Sequence, residues 1–179
     1  MLLVSAAMLC TSPQRVFAQA QEAREHEAIN VVRISPQLVT SGQPLAPSLA
    51  TLGVLGFQGV INLAQATSRD AVADEADILK RQGIEYVHQP IDIDKPTERD
   101  FETFAATLLD MQKRGRKVLV HCAINLRASS FVFLYRTTVL KEPAESAYEA
   151  VAKVWSPRPP WKALMVAQLH KHGIAFEPY

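Results

Sequence analysis

Cysteine is nearly absent from this 179-residue chain, which carries only Cys10 and Cys122. That scarcity excludes a disulfide framework and leaves no thiolate cluster for zinc or an iron–sulfur group. An excess of one charge is also lacking. With 19 Lys and Arg against 18 Asp and Glu, the chain has no general electrostatic grip on nucleic acid. Long low-complexity stretches and internal repeats are missing. A composition 48% hydrophobic and 21% charged, with 7 Gly and 11 Pro, excludes extended disorder, collagen and a coiled coil. The length suits one compact unit and is short for two.

No apolar run approaches the roughly 20 residues that span a bilayer. The opening Met1 to Cys10 has instead the length of a secretory h-region, and Val16-Phe17-Ala18 and Ala18-Gln19-Ala20 offer small residues at signal-peptidase spacing. The expected division is a signal peptide over 1–20, a polar lead-in over 21–30 and one domain over 31–179. Export to a periplasm, without a stable membrane anchor after cleavage, is the expected destination. The alternative is a disordered leader on a cytoplasmic protein, since no Lys or Arg precedes the apolar run. Cleavage would remove Cys10 and leave Cys122 as the lone cysteine.

Beyond the lead-in, short apolar runs alternate with helical patterns. Strands are expected over Val31–Ile34, Leu38–Thr40, Gly59–Leu63, Ile84–Ile91 and Lys117–His121. A helix is expected from the Ser41-Gly42-Gln43-Pro44 turn to about Leu55, and another with Val72, Ala76 and Leu79 on its buried face. Thr97 and Asp100 have the spacing of a capping box before Phe101, Phe104, Ala105, Leu108 and Met111. Further helices are expected from about Arg127 to Leu140, Ala144 to Val154, and Pro160 to Gly173. This order implies an α/β three-layer sandwich, a central mostly parallel sheet flanked by helices. Ligands of such sheets sit beyond the carboxyl ends of the strands, where Cys122 stands.

The segment His121-Cys122-Ala123-Ile124-Asn125-Leu126-Arg127-Ala128-Ser129 leaves a strand and enters a helix. Such a turn directs successive N–H groups into a concavity, and the helix start adds positive potential. A thiol there ionises readily, and a guanidinium can hold two oxygens of one oxyanion. Cysteine and arginine across an anion-binding turn are the parts for covalent catalysis.

His121-Cys122 with Arg127 and Ser129 resembles the phosphate-binding loop of cysteine-dependent protein tyrosine and dual-specificity phosphatases. Leu38-Val39-Thr40-Ser41-Gly42-Gln43-Pro44 and Gly59-Val60-Ile61-Asn62-Leu63 are similar to the bacterial subgroup that includes the phosphatase-like domain of beta-lactamase-hydrolase-like proteins. The resemblance implies a phosphatase-like fold and a phosphomonoester substrate, small molecule or protein, with no metal or cofactor. It implies Cys122 as nucleophile, Arg127 as oxyanion clamp and Asp92 as general acid, with Asp94 the other candidate. Ala123, Ile124, Asn125, Leu126, Ala128 and Ser129 would bind the substrate, and His121 would support the loop. Ser129 would either donate to the cysteine sulfur or bond its own backbone.

The chain departs from that family within the loop: four residues separate Cys122 from Arg127, where such phosphatases place five. A shift of one residue in a helix turns a side chain by about 100°. The loop's usual glycine is also missing, with Asn125, which tolerates a left-handed backbone, in its place. Four intervening residues are also the spacing of rhodanese-like sulfurtransferases, whose cysteine carries a persulfide. A pseudophosphatase that binds an anion or a phosphoprotein without turnover is the third alternative. The sequence does not fix the oligomeric state.

Overall fold

The computed structural model describes residues 28–179. The expected signal peptide, Cys10 and most of the lead-in lie outside the described residues. Five strands form one sheet: β1 (Val32–Ser35), β2 (Leu38–Ser41), β3 (Gly59–Asn62), β4 (Glu85–His88) and β5 (Val118–His121). Their order is β1-β2-β5-β3-β4, with β1 antiparallel to β2 and all other pairings parallel. The expected mostly parallel α/β sandwich is therefore observed, and β5, every residue of which is buried, runs through its middle.

Alternation along the strands builds two cores. Leu38, Ile61, Val118 and Val120 face the larger one. It is covered by α3 (Glu98–Lys113), α4 (Leu126–Thr138), α5 (Ala144–Ala152) and α6 (Trp161–Lys171). Val39, Val60 and Leu119 point the other way, onto α1 (Ala46–Leu49) and α2 (Glu75–Arg81). Helix α4, buried at almost every position, is the central helix that follows β5. The capping box of α3 is present: Thr97 Oγ1 accepts from the Asp100 amide at 3.1 Å, and Asp100 Oδ2 accepts from the Thr97 amide at 2.9 Å.

Two helices differ from expectation. Helix α1 stops at Leu49, and turns continue to Gly56. There the Thr51 hydroxyl bonds back to the Ser48 carbonyl, and Gly53 interrupts the segment. Helix α2 begins only at Glu75, so its buried face is Glu75, Ile78 and Leu79, while Ala76 is exposed. An acid thus occupies a core position. Strand β4 ends at His88, before Pro90, which cannot donate to a ladder.

Candidate active site

Strand pairing sets the carboxyl ends of β2, β5 and β3 side by side. Ser41 and Asn62 both stand opposite His121. The Cys122 amide donates to the Ser41 carbonyl at 3.3 Å, and the His121 carbonyl accepts from the Leu63 amide at 2.8 Å. Cys122, with a free thiol, is 1% exposed, at the point where the sheet hands over to α4.

The turn after it is braced from two sides. The Gln43 amide donates to the Ala123 carbonyl at 3.0 Å, and Gly42 pairs with Ile124 as an antiparallel bridge. A Cβ on Gly42 would stand 2.9 Å from the Ala123 carbonyl oxygen, so only glycine permits this approach. From the other side come Ile29 and Asn30, residues of the expected lead-in. Ile29 O accepts from the Gly42 amide at 2.7 Å, and Asn30 Nδ2 donates to Ile124 O at 2.9 Å.

Asn125 holds the left-handed conformation, φ 71° and ψ 4°, at the start of α4. Its Nδ2 donates to Asn30 O at 2.6 Å and to Thr40 Oγ1 at 3.0 Å. Because the side chain is used sideways, it does not cap α4, and the first turn of that helix carries no acid. The first turn of this 13-residue helix thus brings no anion of its own to the positive end.

Arg127 is the second residue of α4, and its earlier place does not swing it into solvent. The side chain is 6% exposed. Nη1 donates to Ile91 O at 2.8 Å, while Nε is buried without a hydrogen-bond partner. Among the described residues no carboxylate pairs with it. The carbonyl it holds belongs to the residue before Asp92. On the other side of Asp92, Trp161 Nε1 donates to Ile93 O at 2.7 Å. The loop carrying Asp92 is thus pinned at both flanks and tied through Arg127 to the Cys122 turn. Asp92 itself is exposed, and its Oδ1 accepts from the Asp94 amide at 2.9 Å, an Asx turn. Asp94 is exposed as well.

The remaining loop residues divide by environment. Ile124 is exposed, Ala123 and Leu126 are half-buried, and the Ala128 methyl packs into the larger core. The Ser129 hydroxyl donates to Leu126 O at 3.2 Å, so the backbone-bonded arrangement is the one adopted. His121 is fully buried, with Nε2 2.7 Å from Glu75 Oε1. The two atoms are close neighbours whose alignment falls short of hydrogen-bond geometry.

Sequence reasoning missed Glu75, Asn30 and Trp161. The signal for Glu75 was present: an acid one turn before Ile78 and Leu79, on the face that a helix must bury. Asn30 and Trp161 act through backbone carbonyls distant in sequence, which no spacing reveals. Among the described residues no three His, Cys, Asp or Glu side chains gather into a metal site.

The family model described as "DSP-PTPase phosphatase fused to NAD+ Kinase" matches residues 13–157. A structure described as "Putative phosphatase (DUF442)" from Shewanella putrefaciens CN-32 is 31% identical to the chain. The match covers 84% of this chain and 97% of that one, at a TM-score of 0.75. Two more distant structures share the fold. PTPMT1 is 23% identical, covering 80% of this chain and 96% of its own at a TM-score of 0.65. Tk-PTP in its active form is 20% identical, covering 79% and 95% at a TM-score of 0.61. No curated protein matches the sequence. With the family model spanning most of its length, and a relative 31% identical over 84% of it, the chain belongs to the dual-specificity-type (DSP-PTPase) phosphatase family.

Proposed function

We propose that the protein hydrolyses phosphomonoesters, phosphotyrosine among the candidate substrates, through a cysteinyl-phosphate intermediate on Cys122. The observation that carries this reading is the state of Arg127. A guanidinium 6% exposed, with one carbonyl partner and an unpartnered Nε, is costly unless an anion completes its surroundings. The uncapped start of α4 supplies a second attraction for the same anion.

In this mechanism the Cys122 thiolate attacks phosphorus, forming an S–P bond as the P–O bond to the leaving group breaks. Asp92 gives its proton to the departing oxygen. Water then attacks phosphorus, Asp92 takes a proton from it, and the S–P bond breaks to regenerate the thiolate and release phosphate. Arg127 and the loop amides hold the equatorial oxygens, whose charge is greatest in the transition states. Thiolate, carboxyl and guanidinium suffice for these steps.

The test is hydrolysis of an aryl phosphate by wild type, Cys122→Ser and Arg127→Ala. Activity lost in both variants supports the proposal. Equal activity in wild type and Cys122→Ser overturns it. Phosphate or vanadate binding that survives Cys122→Ser, without turnover by wild type, assigns the loop to binding alone. The sulfurtransferase reading rests on the four-residue spacing, and a Cys122 persulfide formed from thiosulfate would favour it.

A further inference from the structure

Among the described residues Glu75 is the one buried carboxylate. It is 3% exposed, it opens α2, and the mechanism above gives it no task. Its two oxygens gather side chains from the ends of three neighbouring strands. Oε1 lies 2.7 Å from His121 Nε2 at the end of β5. Oε2 accepts from Asn62 Nδ2 at the end of β3, at 3.1 Å, and from Gln43 Nε2 just after β2, at 3.3 Å. Asn62 Nδ2 also donates to Tyr86 Oη at 3.1 Å, and Asn62 Oδ1 accepts from the Ala64 amide at 2.8 Å. Gln43 in turn holds the Ala123 carbonyl through its own amide.

Stability alone does not explain this arrangement. Burying a carboxylate is costly, and apolar residues of similar volume serve a fold at least as well. What the carboxylate gains is orientation. Both imidazole nitrogens are buried and neither meets hydrogen-bond geometry, but Nε2 is the one that lies 2.7 Å from a carboxylate oxygen. The contact sets the Nε2 edge of the ring against the carboxylate. That ring belongs to the residue covalently before Cys122.

We propose that Glu75 is a positioning residue that acts through His121 Nε2 to aim the Cys122 thiol, with Gln43 and Asn62 holding the carboxylate in place. The proposal rests on Cys122 being the reactive group of the site.

The test is the rate of Cys122 alkylation by iodoacetamide at fixed pH, beside aryl phosphate kinetics, for near-isosteric variants of the full chain. Glu75→Gln is expected to slow alkylation about tenfold and to lower kcat by a similar factor, with KM within about twofold, because the anion-holding Arg127 is untouched. His121→Gln places an amide N–H near the position of Nε2 and is expected to retain most of the alkylation rate. His121→Asn places its amide near Nδ1 and is expected to fall as far as Glu75→Gln. Adding Glu75→Gln to His121→Asn is expected to cost nothing further. Unchanged alkylation in folded Glu75→Gln overturns the proposal, as do additive losses in the double variant. If Glu75→Gln fails to fold, the order of the two His121 variants decides: equal rates contradict the role of Nε2. An alkylatable Cys122 whose Ser variant hydrolyses phosphate normally would sink the catalytic reading while leaving the positioning result intact.

Discussion

Asn125 occupies the position where the loop would ordinarily use glycine, and its substitution separates two roles that a glycine could not combine. One is conformational: φ of 71° costs most side chains about 1–2 kcal/mol, Asn less and Gly nothing. The other is the bond pair from Nδ2 to Asn30 O and Thr40 Oγ1. Asn30 is exposed and water replaces its lost partner, so that bond contributes about 0.5–1 kcal/mol; Thr40 is fully buried and loses about 1–2 kcal/mol. Asn125→Ala loses both bonds and adds backbone strain, for about 2.5–5 kcal/mol in total. Asn125→Gly is relieved of strain but loses both bonds, for about 1.5–3 kcal/mol. Asn125→Asp keeps the left-handed tolerance yet turns an oxygen toward the Asn30 carbonyl, so it should fall near Ala rather than near Asn. Urea unfolding followed by circular dichroism, with the slope held common, measures all three. A Gly variant as stable as wild type would show that the sideways bonds contribute nothing and that conformation is the whole role.

Three further outcomes follow from the same geometry. Gly42→Ala would place a Cβ 2.5 Å from Ile29 Cγ1 and 2.9 Å from Ala123 O. It should cost about 1–3 kcal/mol and weaken vanadate binding, both measurable by thermal denaturation with and without vanadate. Trp161→Phe keeps the packing but deletes the bond to Ile93 O; it should lower kcat for an aryl phosphate with a poor leaving group more than for one with a good leaving group, because it loosens the Asp92 loop. Equal effects on the two substrates would refute that link. Tyr86, pushed up to about 12 by burial and then by the Glu75 charge, keeps its proton in the folded chain at pH values where the unfolded chain releases it. Its contribution is therefore intact below about pH 10 and declines as pH rises from 10 toward 12. Tyr86→Phe should flatten the fall in melting temperature across that window, and an unchanged slope would contradict the assignment.

Much of the fold was legible because its signals are local. The alternation in Val118-Leu119-Val120 distributes side chains to two cores, Thr97 and Asp100 cap their helix as their spacing requires, and Asn125 adopts the backbone its side chain tolerates. In α2 an acid breaks the apolar pattern, so the expected face of Val72, Ala76 and Leu79 differs from the buried one of Glu75, Ile78 and Leu79. The candidate loop was legible as a Cys-to-Arg turn. Its supports were not, since Arg127 is held by the carbonyl of Ile91 and the Asp92 loop by an indole from α6. Backbone carbonyls carry no sequence signature, and contacts across such distances are set by the sheet order. The four-residue spacing leaves open whether the arginine faces the turn or swings off it. In the folded chain its side chain is buried and tied to the Asp92 loop, because α4 starts immediately after the left-handed Asn125.

The most direct measurement is an acid quench of the protein during turnover of an aryl phosphate, followed by mass spectrometry of the peptide containing Cys122. A phosphoryl group on Cys122 in the wild type, with none in Cys122→Ser and more in Asp92→Ala when the leaving group needs no protonation, is the expected result. Turnover with an unmodified Cys122 peptide at every quench time, and with Cys122→Ser still active, would contradict covalent catalysis at this site.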